Sequence, residues 1–264
     1  MTLVQIIVLA LIQGLTEFLP VSSSAHLILG SRLFGWPDQG LAFDVAAHLG
    51  TLVAVCWYFR SDLTQMVRAN LPNASGQSAY RRLGRLIVFA SLPALLIGYF
   101  TAGWVEFLLR DIRVIAVATL VFGGLLWLAD IFSVGRTTLK QVSLPQAAWI
   151  GLAQVLALIP GASRSGITIT AGLALGLDRD TSARFSFLLS IPVIAAAGGY
   201  GALKVLTGVA PIGWFEFSLA MVLSALTALF CIWGFLRLLA LAGLLPFIIY
   251  RLLLGAVLFW IAFV

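Results

Sequence analysis

Between Gln13 and His26 the chain reads Q-G-L-T-E-F-L-P-V-S-S-S-A-H, which sets an acid, three hydroxyls and an imidazole into an otherwise largely apolar sequence. Gln13 and Glu17 stand four apart, so on a helix they project from one face, with an amide's donors and acceptor beside the carboxylate. An ionisable group at membrane depth costs about 2.5–3.5 kcal/mol and usually faces a cavity or pathway. Glu17 is therefore a candidate proton acceptor or metal ligand, the plainer alternative being a structural pairing with an arginine. Pro20 followed by Ser22, Ser23 and Ser24 is a helix-start pattern whose free N–H groups suit phosphate, although serines here also serve as simple caps. His26, directly after them, is a candidate for proton transfer, whereas His48 reads as a satisfied core histidine.

A second stretch, Pro160 to Thr168, reads P-G-A-S-R-S-G-I-T and has a similar grammar. Arg164 offers a planar fork of donors matched to phosphate oxygens, between Ser163 and Ser165, with Gly161 and Gly166 letting backbone approach. Thr168 and Thr170 add hydroxyls that either meet a ligand or bond back to their own helix. The two stretches are expected to be halves of one phosphate site, with Gln13, Ser22, Ser24, Ser163, Ser165 and Thr168 on the substrate. Arg251, beside Tyr250 in a late apolar segment, reads as a structural residue, snorkelling or pairing helices.

The elements that must position these residues follow from composition. Of 264 residues 61% are hydrophobic and 10% charged, with a mean hydropathy of +1.08. That is far from the soluble balance and describes an integral membrane protein. Apolar runs much longer than a barrel strand, with no sustained alternation, require helices, so the fold is expected to be all-α. The net charge of +6 sits in short loops between spans, which explains it by topology and argues against nucleic acid. Cys56 and Cys231 lie in apolar segments and read as small packed side chains. No basic leader with a cleavage site opens the sequence, so the mature chain is expected to start at Met1.

In order, residues 3–12 are too short to span and are stopped before Pro20, and residues 25–34 form a second short piece; together they read as a re-entrant pair. Spans are expected at 42–60, 86–108 and 113–132. The pattern then restarts, with short helices at 146–159 and 166–177 and spans at 185–207, 215–236 and 243–264. Placing the loop with Arg60, Arg68, Arg81, Arg82 and Arg85 inside leaves Arg32, Arg110, Arg113 and Lys204 outside. The expectation is thus six transmembrane helices plus two re-entrant helix pairs in one membrane domain. Its halves, about 1–132 and 146–264, form an inverted-topology repeat with its site near the midplane.

The two motifs closely resemble the signatures of bacterial undecaprenyl-diphosphate phosphatases of the bacitracin-resistance type. The resemblance extends over the whole chain, including Phe185 to Pro192 and Pro246 to Arg251. It implies hydrolysis of undecaprenyl diphosphate to the monophosphate and inorganic phosphate, recycling the lipid carrier of cell-wall synthesis and conferring bacitracin resistance. It further implies a divalent cation, Mg2+ or Ca2+, and a site in the bacterial inner membrane opening to the outer face. The expected partners are the polyprenyl diphosphate and the membrane, with a second copy of the chain as a candidate and no nucleic acid. Carried over by motif position, Glu17 and His26 are the acid/base pair, Ser23 a nucleophile or phosphate ligand, and Arg164 the diphosphate clamp. The family's first motif begins with Glu or Gln; with Gln13 here, Glu17 and the substrate's phosphates remain as metal ligands.

Two other classes share parts of this pattern. Ser24-Ala25-His26 and Ser163-Arg164 echo membrane phosphatases of the phosphatidic-acid type, but Thr170 and Ala174 stand where those enzymes need a histidine and an acid. An inverted repeat with paired re-entrant helices is also transporter architecture, which makes a carrier of lipid phosphate or a small anion the alternative. Glu17 beside His26 favours catalysis.

Overall fold

The computed structural model describes residues 1–36, 39–71, 78–108, 111–208 and 213–263, with side chains at all of these except 28, 31–34 and 102–108. Arg110 and the side chain of Arg32, both counted on the outer face above, lie outside what is described, as does Val264 at the end of the last expected span.

Among the described residues the regular structure is helical, with turns between the helices and one isolated bridge between Thr137 and Leu177. Six helices are long and apolar enough to cross a membrane: α3 (Gly40–Tyr58), α5 (Ser78–Leu108), α6 (Ile112–Phe132), α9 (Arg179–Leu206), α10 (Trp214–Ala242) and α11 (Leu245–Phe263). The protein is an all-α, multi-pass integral membrane protein. Between the long helices lie α1 (Leu3–Thr16), α2 (Ser23–Phe34), α4 (Arg60–Ala69), α7 (Leu144–Gln154) and α8 (Arg164–Ala174).

The boundaries follow local chemistry. Thr2 and Ser143 start α1 and α7 with the same device, a capping box closed by the amides of Gln5 and Gln146. α1 carries the apolar run of 3–12 on through Gln13 to Thr16, whose hydroxyl donates to the Ile12 carbonyl, and ends short of Pro20 with Glu17 as its C-cap. α7 tightens into a 3-10 turn at Val155–Leu158 before Pro160. Pro93 and Pro192 interrupt neither α5 nor α9, since adjacent helices can compensate the carbonyl each proline frees. Residues 60–69, expected as loop, form α4, an amphipathic helix whose buried residues are Met66 and Ala69.

α10 packs along both α1 and α3, α5 along α7 and α9, and α6 along α11 and α8. Small residues let these backbones touch. A Cβ on Gly14 would meet the Ser224 carbonyl at 2.7 Å, and one on Gly50 or Gly151 would run into the carbonyl of Met221 or Ala90. Beneath the two polar loops lies an aromatic cluster in which Phe187 meets Phe18, Phe59 and Phe235 at centroid distances of 5.4, 6.3 and 5.5 Å.

Candidate active site

The two polar motifs meet tip to tip. Each ends in a helix whose first residue follows a serine with positive φ: Ser22 at 72° before α2 and Ser163 at 66° before α8, the two non-glycine residues with positive φ among those described. A left-handed conformation costs a non-glycine residue on the order of 1–2 kcal/mol, so both turns need outside support.

They have it. Each motif carries a serine pair with Oγ atoms 3.2 Å apart, Ser22 with Ser24 and Ser163 with Ser165. The outer member of each pair then reaches the opposite loop: Ser24 Oγ accepts from the Gly161 N–H at 3.3 Å, and Ser165 Oγ donates to the Leu19 carbonyl at 2.8 Å. Behind both loops the fully buried Arg251 guanidinium donates to the carbonyls of Pro20, Gly161 and Ala162 and to Thr119 of α6. Arg251 is structural, as expected, but it staples loops from the interior and does not snorkel.

Between the tips lies a cavity of about 200 Å3 lined by Glu17, Ser22, Ser23, Ser24, His48, Ala157, Ile159, Ser163 and Arg164. Glu17 Oε1 accepts from Arg164 Nη2 at 3.0 Å; Oε2 accepts from Gln13 Nε2 at 2.9 Å and from Ser23 Oγ at 3.2 Å. Arg164 also donates to the Ser186 carbonyl at 3.3 Å, and its guanidinium lies over the Phe18 ring at 5.7 Å. The aromatic floor thus fixes the plane of the cation while one edge stays at the cavity.

The histidines divide differently from the expectation. His48 Nδ1 must donate to the Asp44 carbonyl at 2.7 Å, which leaves Nε2 of a neutral ring to accept from Gln13 Nε2 at 3.2 Å. His48 Nε2 is 3.9 Å from Glu17 Oε2, so this residue belongs to the cavity and is not a core histidine. One such residue escaped the sequence reading because its partners come from another helix. His26 donates from Nδ1 to the Ser22 carbonyl at 2.7 Å and accepts at Nε2 from Tyr250 Oη at 2.7 Å, its ring stacked on the tyrosine. It touches the turn of the first motif and is absent from the cavity wall.

Gln13, Ser165 and Thr168 are buried behind the wall. Thr168 Oγ1 lies 2.9 Å from the Arg164 carbonyl and 2.7 Å from Ser186 Oγ, holding α8 to α9. Gln13 Oε1 is buried without a partner beside the Glu17 carboxylate. The lining combines two helix N-termini, an arginine and hydroxyls, which suits an anion, with a carboxylate accepting from a hydroxyl, which suits proton removal.

Fold and site together define a multi-pass membrane protein with an anion-type cavity between two loop-helix tips. The chain belongs to the family described as Bacitracin resistance protein BacA, whose profile matches residues 6–257. It is similar to proteins named Undecaprenyl-diphosphatase from Teredinibacter turnerae, at 52% identity over 98% of this chain and 99% of the relative, and from Alcanivorax borkumensis, at 52% over 98% of each. A third, from Alteromonas mediterranea, is 51% identical over 100% of both chains.

Proposed function

We infer that the chain is an undecaprenyl-diphosphatase, releasing inorganic phosphate from undecaprenyl diphosphate and returning the lipid monophosphate to cell-wall synthesis, with bacitracin resistance as a consequence. Membership of the family carries the reading, together with one arrangement: Ser23 donating to a carboxylate that Arg164 holds in place. Transport in place of hydrolysis is not favoured, since the relatives are named for the diphosphatase activity.

In this reading Arg164 and the N–H groups opening α2 and α8 hold the diphosphate. Glu17 takes the Ser23 proton as Ser23 Oγ forms a bond to the terminal phosphorus. The bridging P–O bond breaks, and the lipid monophosphate leaves with the proton from Glu17. Water then attacks the phosphoserine, giving its proton through Glu17 back to Ser23 and leaving inorganic phosphate. Ser22, Ser24 and Ser163 supply hydroxyls at the wall, and Gln13 and His48 orient the carboxylate. His26, with Tyr250, holds the Ser22 turn, and Ser165 and Thr168 anchor α8.

The residues fit a divalent cation of the kind completed by substrate. Among the described residues no three His, Cys, Asp or Glu side chains cluster, so these residues build no cage by themselves. Mg2+ characteristically takes one or two carboxylates plus phosphate oxygens, and Glu17 at the cavity wall offers one such carboxylate, with the orphaned amide oxygen of Gln13 behind it. When bound, the cation neutralises charge on the diphosphate.

An inverted repeat of halves 1–132 and 146–264, with α1–α2 and α7–α8 as re-entrant pairs and the site opening outward, belongs to the same proposal. It is supported by packing that recurs: α1 on α10 as α7 on α5, α3 on α10 as α9 on α5. A homodimer is part of it too, tested by the mass of the protein in detergent. The deciding experiment is phosphate release from undecaprenyl diphosphate by purified protein, with and without Mg2+ or Ca2+, beside Glu17→Ala and Arg164→Ala. Release that needs both residues is expected; none from folded protein overturns the reading.

A further inference from the structure

A diphosphate and a long polyprenyl chain cannot share one compartment: the first needs charge and donors, the second an apolar surface. The cavity between the tips is small and mostly polar-walled, so a chain attached to a diphosphate seated there has to leave it across an apolar residue. Ile159 is placed for that. It lines the cavity and also lines a separate depression of about 440 Å3 on α6, formed with Val117, Ala118, Val121, Phe122 and, at one end, Arg113. The depressions beside Met1 and Phe217, and beside Ser133 and Asp178, share no residue with the cavity.

The junction is rigid. Thr119 Oγ1 donates to the Gly161 carbonyl at 3.3 Å, and Arg251 Nε donates to the Thr119 carbonyl at 3.1 Å, so the loop following Ile159 is tied to α6 at the height of the groove. Ala118 is buried while Val117 and Val121 are half exposed, which makes a trough with a small residue at its base.

We propose that this groove on α6, entered past Ile159, seats the first isoprene units of the lipid substrate and selects for chain length. The proposal rests on the diphosphatase reading above. Bilayer tails are as apolar as the groove, so it gains its ligand by packing and shape and not by a hydrophobic driving force. Blocking it should therefore show as lost discrimination between substrates.

The test compares kcat/KM for undecaprenyl diphosphate and for dimethylallyl diphosphate, a single isoprene unit that ends at Ile159 short of the groove, in wild type, Val117→Trp and Leu226→Trp, the last a lipid-facing control on α10. Val117→Trp should lower kcat/KM for the long substrate about tenfold, mainly through KM, and for the short one less than about twofold, with the control unchanged. Equal losses on both substrates, or none on the long one, overturn the groove. Photo-crosslinking from benzoylphenylalanine at Val121 gives a readout independent of turnover. Labelling by radiolabelled undecaprenyl diphosphate that excess unlabelled substrate competes away supports the groove, and equal competition by phospholipid marks an ordinary bilayer contact and overturns it. Wild type that releases no phosphate from either substrate overturns the diphosphatase reading and the groove with it, whereas active wild type with chain-length-blind variants overturns the groove alone.

Discussion

Glu17 Oε1 accepts a hydrogen bond from Arg164 Nη2 at 3.0 Å, joining two motifs that lie 147 residues apart in the chain. The pair is nearly buried, with side-chain exposures of 9% for Glu17 and 13% for Arg164. A buried pair of this kind is costly to break from one side, because the survivor is left as an uncompensated charge. Each partner therefore sets the other's position, and in the proposed mechanism an arriving diphosphate meets an arginine already oriented.

Arg164→Lys should retain the charge and lose the fork that reaches Glu17 and the Ser186 carbonyl together. A fall of about 10²–10³-fold in kcat is expected, the range for removing one preorganised donor. Steady-state phosphate release measures it, and near-normal turnover would count against the clamp.

Ser23→Ala removes the hydroxyl that donates to Glu17 Oε2 at 3.2 Å. If Ser23 is the nucleophile, activity should drop at least about 10³-fold, and quenching wild type early should leave a phosphorylated peptide in mass spectra. Retention of more than a tenth of the activity would point to water as the attacking group.

His26→Asn should outperform His26→Ala, since an asparagine amide can still donate to the Ser22 carbonyl that His26 Nδ1 meets at 2.7 Å. Equal and complete loss in both variants would instead favour the proton-transfer role read from the sequence. His48→Phe should cost about tenfold through misplacement of Gln13, and it should also alter the pH profile of kcat/KM, which a merely packed histidine would not do.

Arg251→Met deletes a fully buried guanidinium and removes a donor from four carbonyl oxygens, of which Gly161 keeps only its bond from Thr119 Oγ1. Destabilisation of about 3–5 kcal/mol is expected, seen as a lowered unfolding temperature in detergent, with Arg251→Lys recovering part of it.

Much of the architecture was legible in the chain. Long apolar segments in a membrane have no option but to close their own backbone hydrogen bonds, so the six spanning helices could be placed from hydropathy alone. Pro20 and Pro160 marked the ends of the short helices for an equally local reason, the missing N–H. Helix ends were less legible: α5 starts at Ser78 and α4 exists at all because charged residues on one face do not prevent a helix whose other face finds a partner.

Glu17, Ser23 and Arg164 could be singled out by type, since an acid, a serine cluster and an arginine are expensive or conspicuous in so apolar a sequence. Spacing along a helix also placed Gln13 beside Glu17. Only the tertiary structure decided which histidine faces the carboxylate. Both His26 and His48 donate from Nδ1 to a carbonyl one turn back, a local contact that looks the same in sequence. What separates them is the partner at Nε2: Tyr250, from α11, for one and Gln13, from α1, for the other. Arg251 holding both tips and Ile159 dividing cavity from groove are of the same kind. Each depends on where distant helices come to rest, and side-chain chemistry fixes what a residue can bond to, while packing fixes what it meets.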